Sequence, residues 1–143
     1  MISDRIEAGT FAIAAAVTKG KVTLVDCQSE YMAAVLDALK QMGVKIKITK
    51  NSVMIDGTVK KFEPITIATG PYPGFPTDLQ AQMITLMGCA EGQSCMTETI
   101  FENRFMHVPE LNRMNARIEI QNNIAIVNFS DGYQAAEVMS SDL

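Results

Sequence analysis

The chain matches itself at a fixed displacement, and this constrains its fold more than any other feature. At an offset of 72 residues, Gly20 falls on Gly92, Glu30 on Glu102, Leu39 on Leu111 and Met42 on Met114. The same shift, without a gap, brings Ile46 onto Ile118, Ile48 onto Ile120 and Asn51 onto Asn123. Conservative pairs fill the intervals, among them Asp26 with Glu98 and Lys45 with Arg117. A period this long implies a duplicated supersecondary unit rather than a short-period solenoid.

Each copy carries the same order of local signals. A helix comes first, over about Asp4 to Thr18 and Thr77 to Ala90, apolar nearly all round and so expected to be enclosed on most sides. Gly20 and Gly92 lie just past these helices, where a left-handed residue is cheap for glycine. A short strand follows, Val22 to Asp26 and Ser94 to Glu98. The next helix is amphipathic in the first copy, with Met32, Val35, Leu36, Leu39 and Met42 on one face. In the second copy it runs from about Val108 to Met114, with Pro109 suited to a first turn. Alternating strands close each unit: Val44/Ile46/Ile48 with Val53/Ile55, and Ala116/Ile118/Ile120 with Ile124/Ile126. A last strand is expected near Pro64 to Thr69 and again near Ala135 to Met139. The fold class is therefore α/β (α+β): repeated βαβαββ-type units packed around buried helices, with one unit over about 1–72 and another over about 73–143.

Three helix entries share a capping signal: Ser3-Asp4, Thr77-Asp78 and Ser141-Asp142. The third has no helix after it, since the sequence stops at Leu143. A unit built to stack on another copy leaves apolar surface and strand edges uncovered. The pattern thus reads as a truncated array, a piece of a larger domain. The alternative is a natural two-unit protein that covers the gap by self-association. Gly70-Pro-Tyr-Pro-Gly-Phe-Pro76 reads as a stiff loop into the second buried helix rather than as a linker.

Composition narrows the function classes. Apolar residues make up 48% and charged residues 20%, which suits a globular chain with an aliphatic, methionine-rich core. The net charge of −4 comes with no clustered lysine or arginine, so no nucleic-acid partner is expected, whereas an anionic small substrate needs only one or two placed arginines. Cys27, Cys89 and Cys95 lack a Cys-x-x-Cys spacing and have a single histidine, His107, for company, so no metal site is expected and the thiols read as reduced. No apolar run approaches a membrane span, and Asp4, Arg5 and Glu7 stand where a signal peptide would be basic, which makes a cytoplasmic location the default.

Two places could do chemistry. Asp78, in Pro73-Gly-Phe-Pro-Thr-Asp-Leu-Gln-Ala-Gln82, stands in a first helical turn. It can cap N–H groups there, or act as a base at the edge of a rigid element. Glu102-Asn-Arg104 follows a strand and precedes a helix, at the strand end where open α/β sheets place ligands. Arg104 can grip a carboxylate or phosphate with a paired fork, or sit in a surface ion pair with Glu98 or Glu102. His107 has no nearby partner pattern for nucleophilic catalysis, and neither Gly-rich phosphate motif occurs.

Three stretches carry a family resemblance. They are Asp4-Arg-Ile-Glu-Ala-Gly-Thr10, Phe75-Pro-Thr-Asp-Leu-Gln-Ala-Gln82 and Thr97-Glu-Thr-Ile-Phe-Glu-Asn-Arg-Phe-Met-His-Val-Pro-Glu-Leu111. Together they resemble the enolpyruvyl transferases, in the amino-sugar branch that starts peptidoglycan synthesis, and the likeness covers essentially the whole chain. The resemblance implies the family's inside-out α/β barrel, in which each of two domains has three such units, two of which are present here. It implies transfer of the enolpyruvyl group of phosphoenolpyruvate to the 3′-hydroxyl of UDP-N-acetylglucosamine, with no cofactor. Residue by residue, it makes Asp78 the acceptor of the sugar hydroxyl proton, Arg104 the grip on the enolpyruvyl group and Ile100 a contact to the UDP-sugar through its backbone. Asp4 and Arg5 fall at the crossing between domains, where a structural role is expected. The family's early Lys-Asn pair, its loop with the proton-donating cysteine and further arginines have no match, and none of the three cysteines corresponds to that loop. One wall of the cleft is expected to be inactive without the rest of the two-domain enzyme. The rival expectation is a stand-alone, non-catalytic module of the same fold serving binding or assembly.

Overall fold

In the computed structural model, which describes residues 3–140, the two halves of the chain build two antiparallel ladders with the same register. The first half runs α1 (Arg5–Val17), β1 (Lys21–Val25), a 3-10 turn (Ser29–Met32), α2 (Ala33–Gln41), β2 (Lys45–Ile48) and β3 (Ser52–Asp56). After β4 (Thr66–Ala68) and a 3-10 turn (Thr77–Leu79) come α3 (Gln80–Met87), β5 (Gln93–Thr97), α4 (Val108–Arg113), β6 (Arg117–Gln121) and β7 (Ile124–Asn128). One sheet has the order β1-β3-β2 and the other β4-β5-β7-β6. Lys21 faces Asp56 in the first, and Gln93 faces Asn128 in the second. Lys45 likewise faces Asp56, and Arg117 faces Asn128. Each second pair is the first displaced by 72 residues, so the repeat read from sequence is also a repeat of hydrogen-bond register.

The last strand of each copy behaves differently. β4 runs parallel to β5 of the following unit, Thr66 opposite Cys95, and so belongs to the second sheet. The strand expected near Ala135 to Met139 does not form; the backbone there is irregular. A lone extended segment leaves its N–H and C=O groups unpaired, and no described strand stands to it as β5 stands to β4. The segment instead folds back on the α4 region, where Gln134 N–H donates to the Met114 carbonyl and Met139 N–H to Glu110.

The apolar helices lie against each other. Every residue of α3 is at least half-buried, and Met83, Ile84, Leu86 and Met87 are fully so. α1 departs from the expectation of enclosure: Ala12, Ile13, Ala15 and Ala16 are buried, but Glu7, Phe11 and Ala14 are exposed, Phe11 by 56%. Its buried flank packs on α3 and on β1 and β3, while no described element covers the opposite flank. The contact is close because Gly9 has no side chain: a Cβ there would collide with Leu79. Gln82 Nε2 donates to Thr10 Oγ1 at 3.1 Å, joining equivalent positions of the two copies.

The termini of these helices correct the sequence reading in two ways. Past α1 the left-handed residue is Lys19 (φ 51), one position before Gly20. Gly20 N–H reaches the Ala15 carbonyl and Lys19 N–H the Ala16 carbonyl, the paired bonds of a Schellman ending. Past α3 the chain leaves without such a residue, and Gly92 (φ 144) instead turns it into β5. At the N-termini, Asp4 caps α1 by accepting from Ile6 and Glu7 N–H at 2.8 and 3.3 Å. Thr77 and Asp78 cap nothing, because their side chains are engaged elsewhere. Ser141-Asp142 lies outside the described residues.

Candidate active site

The site forms where the loop 98–107 leaves the C-terminal end of β5 and meets the turn that opens α3. Arg104 Nη2 donates to Asp78 Oδ1 at 3.0 Å across 26 residues of chain. The Arg104 side chain is 17% exposed and that of Asp78 57%, so the acid faces solvent and the guanidinium is mostly covered. The guanidinium also lies over the Phe101 ring, 5.0 Å from its centroid, and its buried Nε–H has no partner. Asn103 holds the loop's left-handed turn (φ 54), which asparagine tolerates better than most residues. The two candidates thus share one location, and the surface pairing with Glu98 or Glu102 anticipated for Arg104 is replaced by Asp78.

A cleft of about 620 Å³ opens beside Arg104, lined by Glu98 through Phe105 with Asn122 and Asn123; Asp78 is not part of its lining. A larger crevice, about 920 Å³, lies beside α1 and includes Asp26, Lys50 and Asn51. These are the positions 72 residues before Glu98, Asn122 and Asn123, so the two crevices share equivalent positions at the strand end and the hairpin turn. The chemistry is not copied. The residues 72 before Asp78 and Arg104 are Ile6 and Met32, which can neither accept a proton nor bind an anion. The smaller cleft is the candidate site because Arg104 lines it and holds Asp78 by a hydrogen bond.

Ile100 borders this cleft and is 39% exposed. Its N–H is already given to Glu98 Oε1 at 2.7 Å, so a backbone contact from Ile100 to a ligand falls to its carbonyl. Glu102 is exposed and makes no ion pair among the described residues. His107 is 8% exposed with both ring nitrogens unpartnered; burial, with the Arg104 charge second, lowers its pKa to about 4, so the ring is neutral at pH 7. Cys27, Cys89 and Cys95 are free, and burial pushes the Cys27 and Cys89 thiols up, away from thiolate chemistry. No cluster of ligating side chains suited to a metal occurs among the described residues, and no helix there is long and apolar enough to cross a membrane.

Sequence reasoning missed the residue at the centre of the site. Glu98, 2% exposed, takes hydrogen bonds from Thr69, Thr77, Gln80, Ile100 and Phe101. A signal was present: Ser94, Met96 and Glu98 share the inward phase of β5, so the strand pattern aims a carboxylate at the core.

Comparison with known proteins identifies the family and the fold. Residues 1–143 match the EPSP synthase (3-phosphoshikimate 1-carboxyvinyltransferase) family. The chain is 47% identical over its full length to the UDP-N-acetylglucosamine 1-carboxyvinyltransferase of Haemophilus ducreyi and 49% identical to that of Novosphingobium aromaticivorans. It spans about a third of those relatives, 34% and 33% of their lengths. Among solved structures, the enolpyruvyl transferase NikO from Streptomyces tendae superposes on 90% of the chain, and the chain covers 31% of NikO, with a TM-score of 0.80 at 23% identity. An EPSP synthase from Acinetobacter baumannii also superposes on 90%, with the chain covering 29% of it, at a TM-score of 0.65 and 14% identity. The mixed α/β fold is that of the enolpyruvyl transferases, and the chain belongs to the EPSP synthase family.

Proposed function

We propose that this chain is one wall of the active site of an enzyme that moves the enolpyruvyl group of phosphoenolpyruvate to the 3′-hydroxyl of UDP-N-acetylglucosamine. The observation that carries the reading is the Asp78–Arg104 pair at 3.0 Å in a chain 46–49% identical to transferases of that name. The exposed Asp78 carboxylate accepts the hydroxyl proton as the sugar oxygen bonds to C2 of phosphoenolpyruvate. Arg104 holds the anionic oxygens of the enolpyruvyl reactant, where a fixed cation stabilises charge through addition. An anion taken by Arg104 competes with Asp78 for the guanidinium, so binding one reactant frees the base for the other. Protonation of C3 and later loss of phosphate, with return of the double bond, use groups from the remainder of the enzyme. The Ile100 carbonyl contacts the UDP-sugar.

On this reading the chain is part of a larger catalytic domain, with units over about 1–72 and 73–143, and works in the cytoplasm in the first committed step of peptidoglycan synthesis. The relatives named above carry transferase names, so a stand-alone binding module is not favoured. The test is Asp78→Asn in the complete enzyme. Turnover should fall on the order of a hundredfold or more with substrate binding largely kept, as expected for loss of a general base. Near-normal turnover removes Asp78 from the role.

A further inference from the structure

Glu98 is a buried carboxylate that the proposed chemistry leaves unused, and among the described residues its side chain accepts more hydrogen bonds than any other. It stands one residue past β5 and continues the inward phase of Ser94 and Met96. A charge in that position is tolerated only when its lone pairs are filled. Oε1 accepts from the Thr69 hydroxyl at 2.8 Å, from Ile100 N–H at 2.7 Å and from Phe101 N–H at 3.2 Å. Oε2 accepts from the Thr77 hydroxyl at 2.8 Å and from the Gln80 amide. Burial opposes the charge, but the donors from Ile100, Thr77, Thr69 and Phe101 outweigh it and hold the carboxyl below its ordinary range. The main chain is fixed as well: Glu98 N–H donates to the Asn123 carbonyl at 2.8 Å, and Asn123 Nδ2 donates to the Glu98 carbonyl at 3.0 Å.

The identity of the donors shows what the anion organises. Thr77 and Gln80 flank Asp78, while Ile100 and Phe101 begin the loop that carries Arg104, with Phe101 beneath its guanidinium. One oxygen draws in the Arg104 loop, and the other draws in the turn bearing Asp78. Thr69 and Thr99 then close the loop onto the end of β4, Thr99 N–H donating to Thr69 Oγ1 at 2.9 Å and Thr99 Oγ1 to the Thr69 carbonyl at 2.6 Å. We infer that Glu98 is the positioning residue of this site, an anionic clamp that sets Asp78 and Arg104 against each other without touching substrate. The inference rests on the functional reading given above.

The test uses the complete enzyme with Glu98→Ala, Glu98→Gln and Thr77→Val, and Asp78→Asn in parallel. Loss of the clamp in Glu98→Ala should lower kcat on the order of a hundredfold, the usual cost of an ångström-scale misplacement. Glu98→Gln keeps the shape, and if the Gln80 amide turns over, its Oε1, now buried without a partner, can accept from the new amide in place of the present Gln80 Nε2 bond to Glu98. It should therefore recover most of that loss, to within about tenfold of wild type. Thr77→Val releases only the Asp78 side and keeps the inference testable if Glu98→Ala does not fold. Its kcat should fall several-fold with KM for phosphoenolpyruvate unchanged, because the Arg104 loop stays anchored. Wild-type kcat in folded Glu98→Ala, or in Thr77→Val, overturns the inference, as does a Glu98→Gln no better than Glu98→Ala. If Asp78→Asn is inactive while the clamp variants are normal, only the positioning role falls; if Asp78→Asn is fully active, the functional reading falls with it.

Discussion

Replacing Arg104 by lysine separates the two things this side chain does. In the folded state it donates to an Asp78 that is 57% exposed, and its guanidinium covers the Phe101 ring. An ion pair so open to water contributes about 0.2–1 kcal/mol, and a cation over an accessible ring about 0.5–1 kcal/mol. Lysine keeps the charge and part of both, so the expected loss of stability is about 1 kcal/mol, a fall in Tm of only a few degrees. The transition state asks for more. A planar fork aimed at developing negative charge is lost when an ammonium replaces it, and one such donor is typically worth about 3–4 kcal/mol. That loss is a drop in kcat/KM of about 10²–10³ in protein that remains folded, and it exceeds the structural effect by about 2 kcal/mol or more. The assay is phosphate release by the complete enzyme at varied phosphoenolpyruvate, beside a thermal melt of the same sample. Unchanged phosphoenolpyruvate saturation, or activity lost only in step with folded protein, would refute the assignment.

Two further outcomes are expected. His107 is the only histidine of the chain, so its ring protons can be followed by NMR without ambiguity. Its folded pKa of about 4 lies below the ordinary 6.5, so the unfolded chain binds the proton more readily between those values. Stability is unaffected by this group above pH 6.5 and declines as pH falls from there to about 4, by about 3 kcal/mol in total. A ring that titrates near 6.5 in the folded chain would contradict the burial argument. Gly57→Ala should destabilise strongly, since a Cβ there stands 2.7 Å from Ala16 Cα and 2.8 Å from the Ala15 carbonyl oxygen, both backbone atoms of α1. The cost should reach about 3 kcal/mol in a denaturant titration; unchanged stability would mean that α1 does not rest on the end of β3.

The 72-residue repeat was legible because hydrophobic period and register are local properties, and the same spacing of Ile46, Ile48, Ile118 and Ile120 produced the same ladder twice. Asp78 and Arg104 were legible as candidates from their positions, with roles supplied by the family resemblance, but not as hydrogen-bonded partners. The physical reading offered Arg104 the nearby Glu98 and Glu102, since proximity in sequence is all that a sequence shows. Their pairing across 26 residues depends on where the loop after β5 meets the entry to α3. Glu98 was hidden for the same reason. Its five donors come from β4's end, the α3 entry and its own loop, and a single sequence shows a glutamate without showing what surrounds it. The strand missing near Ala135 had the right pattern but no described neighbour, because a strand is made by its pairing. Sequence thus determined which segments carry a helix or strand pattern and which residues could do chemistry. Tertiary structure decided which strands found partners, which flank of α1 was covered and which charges met, because each depends on contacts between residues far apart along the chain.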